Sequence, residues 1–146
     1  MKSIDSILSA VYDSISGPAG DRDWNRFRSL FVSEARLMPV AKPAAGNSTF
    51  SLRSLSVDDY ISRAGNTFKQ NGFYEHEVSR KQEQFGHIAQ VFSTYESRHA
   101  AGDQPFARGI NSFVLFNDGN RWWVVQIMWD TEGPGQSIPP RYTPGS

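Results

Sequence analysis

Residues 121–130 read RWWVVQIMWD, a nearly unbroken apolar run held between two charges. Aromatic and β-branched residues at this density favour a strand. Strict alternation puts Trp123, Val125, Ile127 and Trp129 on one face, and Trp122, Val124, Gln126 and Met128 on the other. Both faces are apolar, which predicts that both are covered. Just upstream, Asn117-Asp118-Gly119 is a hairpin turn signal, so the preceding segment is expected to run antiparallel to this strand.

Working back from that turn, strands are expected at about Phe106–Asn117, Phe85–Arg98 and Phe73–Gln82. Before Gly72 the period becomes helical. Ser56 with Asp59 resembles a capping box and opens a helix over Val57–Asn71, with Tyr60, Ile61, Ala64 and Phe68 inward. Thr49–Arg53 reads as a short strand. Glu34–Val40 reads as another, which Pro39 pushes toward an edge or bend. A helix over Asp23–Phe31, capped by Asp21 or Asp23, buries Trp24, Phe27, Leu30 and Phe31. The first helix, Ser3–Ser16, carries the stripe Ile4, Ile7, Leu8, Val11 and Ile15 and stops at Gly17-Pro18.

This order predicts an α+β fold: three helices in the N-terminal half packed on a curved, mainly antiparallel sheet. The domain is expected over residues 1–131, with 132–146 as a Pro/Gly-rich tail. Helices can cover only one sheet face, so the other is expected to meet a second copy in a homodimer.

Composition narrows the function. The chain has 146 residues, and its 15 Lys+Arg balance its 15 Asp+Glu, with no basic run. Nucleic-acid binding draws on clustered positive charge, so no nucleic-acid partner is expected. There is no cysteine, which excludes disulfides, thiolate nucleophiles and cysteine metal sites. His76, His87 and His99 show no metal-ligand spacing, so no metal is expected, and no cofactor motif appears. No stretch is apolar enough for a membrane span or a signal peptide, and a cytoplasmic location is the expectation.

Three stretches carry a family resemblance. LFVSEARL (30–37) matches a step into a first strand. GHIAQVFSTYES (86–97) with RGINSFVLFNDG (108–119) matches a long central hairpin, and RWWVVQIMWD a closing strand. Their order resembles the nuclear transport factor 2-like, ketosteroid-isomerase-like and SnoaL-like cone fold over about residues 4–131. The resemblance implies a cavity between helices and sheet. It sets Tyr12 and Asn111 at the places of the isomerases' oxyanion-binding residues. Met38, directly before Pro39, stands where those enzymes carry a basic carboxylate. A thioether cannot take a proton, so the resemblance implies a pocket without steroid isomerisation.

The expected pocket lining is Phe31, Met38, Tyr60, Phe92, Val125, Ile127 and Trp129, with Tyr12, His76 and Asn111 as polar anchors. Because the anchors are read as donors, the expected ligand is a small hydrophobic molecule bearing a carbonyl or hydroxyl. In YEHEV (74–78), His76 shares a face with Tyr74 and Val78. It is read either as a pocket acid or base, or as a strand histidine bonded to a carboxylate. Glu75, Glu77, Glu83 and Glu96 are expected to form cross-strand ion pairs with Arg80, Arg98 and Arg108. Two rivals to simple binding stand. One is a dehydratase, cyclase or isomerase, hence a lyase or isomerase, using His76 and Tyr12. The other is a dimeric protein-interaction module.

Overall fold

Serine caps start both longer helices. In the computed structural model, which describes residues 1–145, helix α1 (Ile4–Ile15) opens on Ser3, whose hydroxyl accepts from the Ser6 amide at 3.0 Å. Helix α3 (Val57–Gln70) opens on Ser56, which accepts from the Asp59 amide at 3.1 Å. Its partner Asp59 accepts from the Ser56 amide at 3.4 Å, completing the box. Each cap satisfies amides that a helix start otherwise leaves unpaired. The short helix α2 (Trp24–Arg28) is capped by Asp23, not Asp21.

Strand β1 (Phe31–Ala41) begins three residues before the expected Glu34, because Phe31 already pairs with Val124. After it come β2 (Ser51–Leu52), β3 (Tyr74–Phe85), β4 (Ile88–Arg98), β5 (Ala107–Asn117) and β6 (Trp122–Thr131). They form one curved six-stranded sheet in the order β2-β1-β6-β5-β4-β3. All neighbours pair antiparallel except β1 with β6, which is parallel. The helices lie on one face, where Ile7, Leu8, Phe27, Leu30, Phe113 and Leu115 are almost wholly buried.

The strict alternation expected for β6 fails in its middle. Leu115 pairs with Val124 and Val114 with Gln126, which leaves Val125 as an extra, bulged residue. A bulge shifts the side-chain phase by one. Trp122 and Val124 therefore face the core together with Ile127, while Trp123 and Val125 are not in the buried core set. The two faces read from the sequence exchange places at the bulge.

The segment after β6 folds back onto the outer sheet face. Its single 3-10 turn, Pro140–Tyr142, sets the Tyr142 ring 5.5 Å from the Phe92 ring. The Thr94 hydroxyl donates to the Tyr142 carbonyl at 2.6 Å. No helix of the described residues is long and apolar enough to cross a membrane.

Candidate functional site

The end of α1 fixes the start of β3. Gly17 and Phe73 exchange backbone hydrogen bonds of 2.8 and 3.0 Å. The Ser16 hydroxyl accepts from the Glu75 amide at 3.0 Å and donates to the Tyr12 carbonyl at 2.7 Å. Between them, a β-carbon on Gly72 would lie 2.3 Å from the His99 carbonyl, so only glycine permits this approach. Held in this register, β3 turns Glu75 inward and leaves His76 exposed.

Glu75 is the head of a hydrogen-bonded series. Its Oε2 accepts from Asn111 Nδ2 at 3.1 Å and its Oε1 from the Ser97 hydroxyl at 3.1 Å. The second Nδ2 hydrogen of Asn111 goes to the Tyr12 hydroxyl at 3.0 Å. Ser93 donates to Glu77 at 2.5 Å, so Tyr12 donates to the Ser93 oxygen at 2.7 Å. Glu77 in turn grips the Arg80 guanidinium, which also reaches Asp5. Burial holds the Tyr12 phenol well above its ordinary range, with the Glu75 charge adding to it, so Tyr12 stays neutral.

Glu75 and Asn111 line a cavity of about 230 Å³ between helices and sheet. Helix α1 contributes Val11 and Ile15, and α3 contributes Tyr60 and Phe68. The sheet side supplies Leu37, Phe113, Ile127 and Trp129. Every one of these side chains is apolar apart from the Tyr60 hydroxyl and the Trp129 ring nitrogen. Such walls strip water from the carboxylate and disfavour its charge. Burial accordingly pushes the Glu75 carboxyl up to about 7, against the opposing pull of the Asn111 and Ser97 hydrogen bonds. The Tyr60 hydroxyl and the Asn111 Oδ1 make no hydrogen bond with the described residues. Tyr60 is held edge-on to Trp129, with ring centroids 6.2 Å apart.

A second, larger hollow of about 1160 Å³ is an open groove beside α1 and β3, lined by Tyr12, Glu75, His76, Glu77 and Arg80 among others, so that Glu75 borders both hollows. Its charged rim pairs with itself. The smaller, mostly apolar cavity is concave and partly open, with a few polar groups in its wall.

The residues singled out from the sequence divide between these places. Tyr60, Asn111, Ile127 and Trp129 line the cavity. Tyr12 is buried behind Asn111 with its hydroxyl engaged on both sides, and does not line it. His76 faces the open groove, on the opposite side of β3 from Glu75. Phe31 is buried against Phe27, their ring centroids 4.8 Å apart. Met38 pairs with Met128, and the neighbouring Leu37 takes the inward place. Phe92 is 41% exposed on the outer face beneath Tyr142. Val125 is displaced by its bulge.

Glu75 is the residue that sequence reasoning missed. On β3 the apolar residues Tyr74 and Val78 suggested the inner face, and the two glutamates were set among surface ion pairs. Glu77 does pair with Arg80, and Glu96 pairs with Arg98 and Arg108. Among the described residues Glu75 joins no ion pair. The available signal was Gly72, whose close approach to a neighbouring backbone marks where β3 is pinned.

Fold and cavity together define an α+β cone with a partly open, mostly apolar pocket. No family model and no curated protein matches the chain. Solved structures do. A nuclear transport factor 2-like protein of unknown function from Shewanella baltica aligns with TM-score 0.56 and 19% identity, covering 89% of this chain and 91% of its own. A provisionally named ketosteroid isomerase from Shewanella frigidimarina aligns with TM-score 0.57 and 12% identity over 86% and 92%. The β subunit of a provisionally named aromatic-ring-hydroxylating dioxygenase from Novosphingobium aromaticivorans gives TM-score 0.67 and 13% identity over 97% and 94%. The chain has the nuclear transport factor 2-like fold.

Proposed function

We infer that this protein binds a small, mostly apolar molecule in the cavity, with Glu75 and Asn111 meeting its one polar group. The observation that carries this reading is an ionisable carboxyl set in an apolar hollow, with a nearby hydroxyl and amide oxygen left unspent. Neither oxygen is sealed from water, so each is open to the polar group of a bound molecule. The cavity volume of about 230 Å³ lies below the range of roughly 300–1000 Å³ for drug-sized ligands. A single-ring molecule fits better than a steroid. The same carboxyl, poised near neutrality, is also the group through which an acid–base reaction would run, in place of His76 with Tyr12.

The test is a thermal-shift series with single-ring compounds such as acetophenone and benzyl alcohol, on the native protein and on Val11→Phe, which fills the cavity. A compound that binds only the folded state raises Tm. Stabilisation of the native protein that is lost in the filled variant supports the reading. No stabilisation by any compound across the series contradicts it.

A second reading concerns assembly. Ile88 and Phe116 pair across β4 and β5 on the outer face and are 60% and 40% exposed. Phe92, on the same side of β4, adds to the patch. Exposed apolar pairs of this kind favour a sheet-to-sheet homodimer. Analytical ultracentrifugation checks it against the single-chain mass of 16.4 kDa.

A further inference from the structure

Resting on the cavity reading above, the chemistry of the unspent atoms narrows the ligand class. Once Glu75 is ionised, the polar atoms that the protein leaves free in the cavity are acceptors, apart from the Tyr60 hydroxyl, which can also donate. Both Nδ2 hydrogens of Asn111 are committed, one to Tyr12 and one to Glu75, so that only Oδ1 remains. Each Glu75 oxygen takes a single hydrogen bond and keeps a lone pair. Tyr60 offers an oxygen that can accept as well as donate. Among the twelve lining residues there is no lysine, arginine or histidine, so nothing in the wall balances a charge on Glu75. Phe27, Tyr60, Phe68, Phe73, Phe113 and Trp129 supply six aromatic rings, whose faces attract cations, although Arg22 already lies over Phe68, 5.0 Å from its centroid.

We propose that the cavity takes a small hydrophobic amine as its ammonium ion, with the N–H groups on Glu75 and Asn111 Oδ1 and the hydrocarbon among the rings. An ammonium brings three donors and one positive charge, which is what this wall lacks. A neutral carbonyl compound can accept from the Tyr60 hydroxyl or from the protonated Glu75 carboxyl, but once Glu75 ionises it leaves that charge unbalanced. The titratable groups that interact with Glu75 are Tyr12 from α1, Tyr60 from α3 and Tyr95 from β4, each held above its ordinary range and neutral near pH 7. From β5 the neighbour is Asn111, which does not titrate. Binding of an ammonium therefore follows the ionisation of Glu75 and strengthens as pH rises from 5 to 8.

The experiment is calorimetric titration of the full chain with benzylamine and with benzyl alcohol, its neutral counterpart of the same shape, at pH 5 and pH 8. At pH 8 benzylamine should bind about tenfold or more tightly than benzyl alcohol. Its affinity should fall about tenfold or more at pH 5, while that of the alcohol stays level. Glu75→Gln should remove the preference for the amine over the alcohol. Equal or tighter binding of the alcohol at pH 8 overturns the amine assignment and leaves the cavity reading standing. Binding of neither compound overturns both. The amine-to-alcohol ratio in the native protein decides the matter even where the variant fails to fold.

Discussion

Asn111 on β5 and Glu75 on β3 meet across the intervening strand β4, the amide donating to the carboxyl at 3.1 Å. The contact joins the cavity to a partly buried series that runs through Glu77 and Arg80 to Asp5 on the surface. It makes one carboxyl answerable to both the core and the cavity.

Stability should fall as pH rises. The folded Glu75 holds its proton to about pH 7, whereas in the unfolded chain it loses it near 4.5. Its contribution is complete below pH 4.5 and is lost as pH climbs through 7. Glu75→Gln should flatten this slope, and its stability relative to the native protein should improve by about 1–3 kcal/mol from pH 4.5 to pH 8. Urea unfolding at a series of pH values measures the difference.

Breaking the contact from the other side should act in the opposite sense on the carboxyl. Asn111→Ala removes a hydrogen bond that favours the charged form, so the Glu75 carboxyl should titrate higher still. It also strands Tyr12 and Glu75, at a cost of about 1–3 kcal/mol. Denaturant unfolding gives the stability, and carboxyl NMR gives the titration.

The two residues that compete for the site role can be separated directly. His76→Ala alters an exposed position and should shift stability by no more than about 0.5 kcal/mol, with ligand affinity unchanged. Glu75→Gln should change both the pH profile and the affinity for charged ligands. Calorimetry on the two variants side by side makes the comparison.

Val11→Phe should block the cavity with little loss of stability. Val11 is 4% exposed and lines the hollow, so the larger ring enters empty space. The expected cost is below about 1.5 kcal/mol. Thermal unfolding with and without an aromatic ligand should show a native-like midpoint and no ligand response.

The outer face offers a test of assembly. Ile88→Lys with Phe116→Lys sets two charges on a directly paired apolar couple. Sedimentation should shift from twice the single-chain mass to the single-chain mass, with the far-UV spectrum preserved.

The fold was legible because its signals are local. Ser56 with Asp59 caps α3, the Ser16 amide closes α1 on the Asp13 carbonyl, and Asn117-Asp118-Gly119 turns the last hairpin, each through hydrogen bonds within a few residues. The site was less legible because its determinants are long-range. The face of β3 is set by Gly17 and Ser16, more than fifty residues away in the chain. Hydrophobic alternation pointed to Tyr74 and Val78, yet the strand turns a carboxylate inward because Asn111 and Ser97 wait there with hydrogen-bond donors. The bulge at Val125 is equally hidden, since nothing within β6 shows that the register against β5 will slip.

The most direct measurement is the titration of the Glu75 side-chain carboxyl by carbon-13 NMR in the ligand-free protein. A midpoint near 7 is the expected result, as for a carboxyl walled in by apolar side chains and balanced by no cation. A midpoint near the ordinary 4.5 would mean that water or a positive group reaches the carboxyl, and would contradict the account.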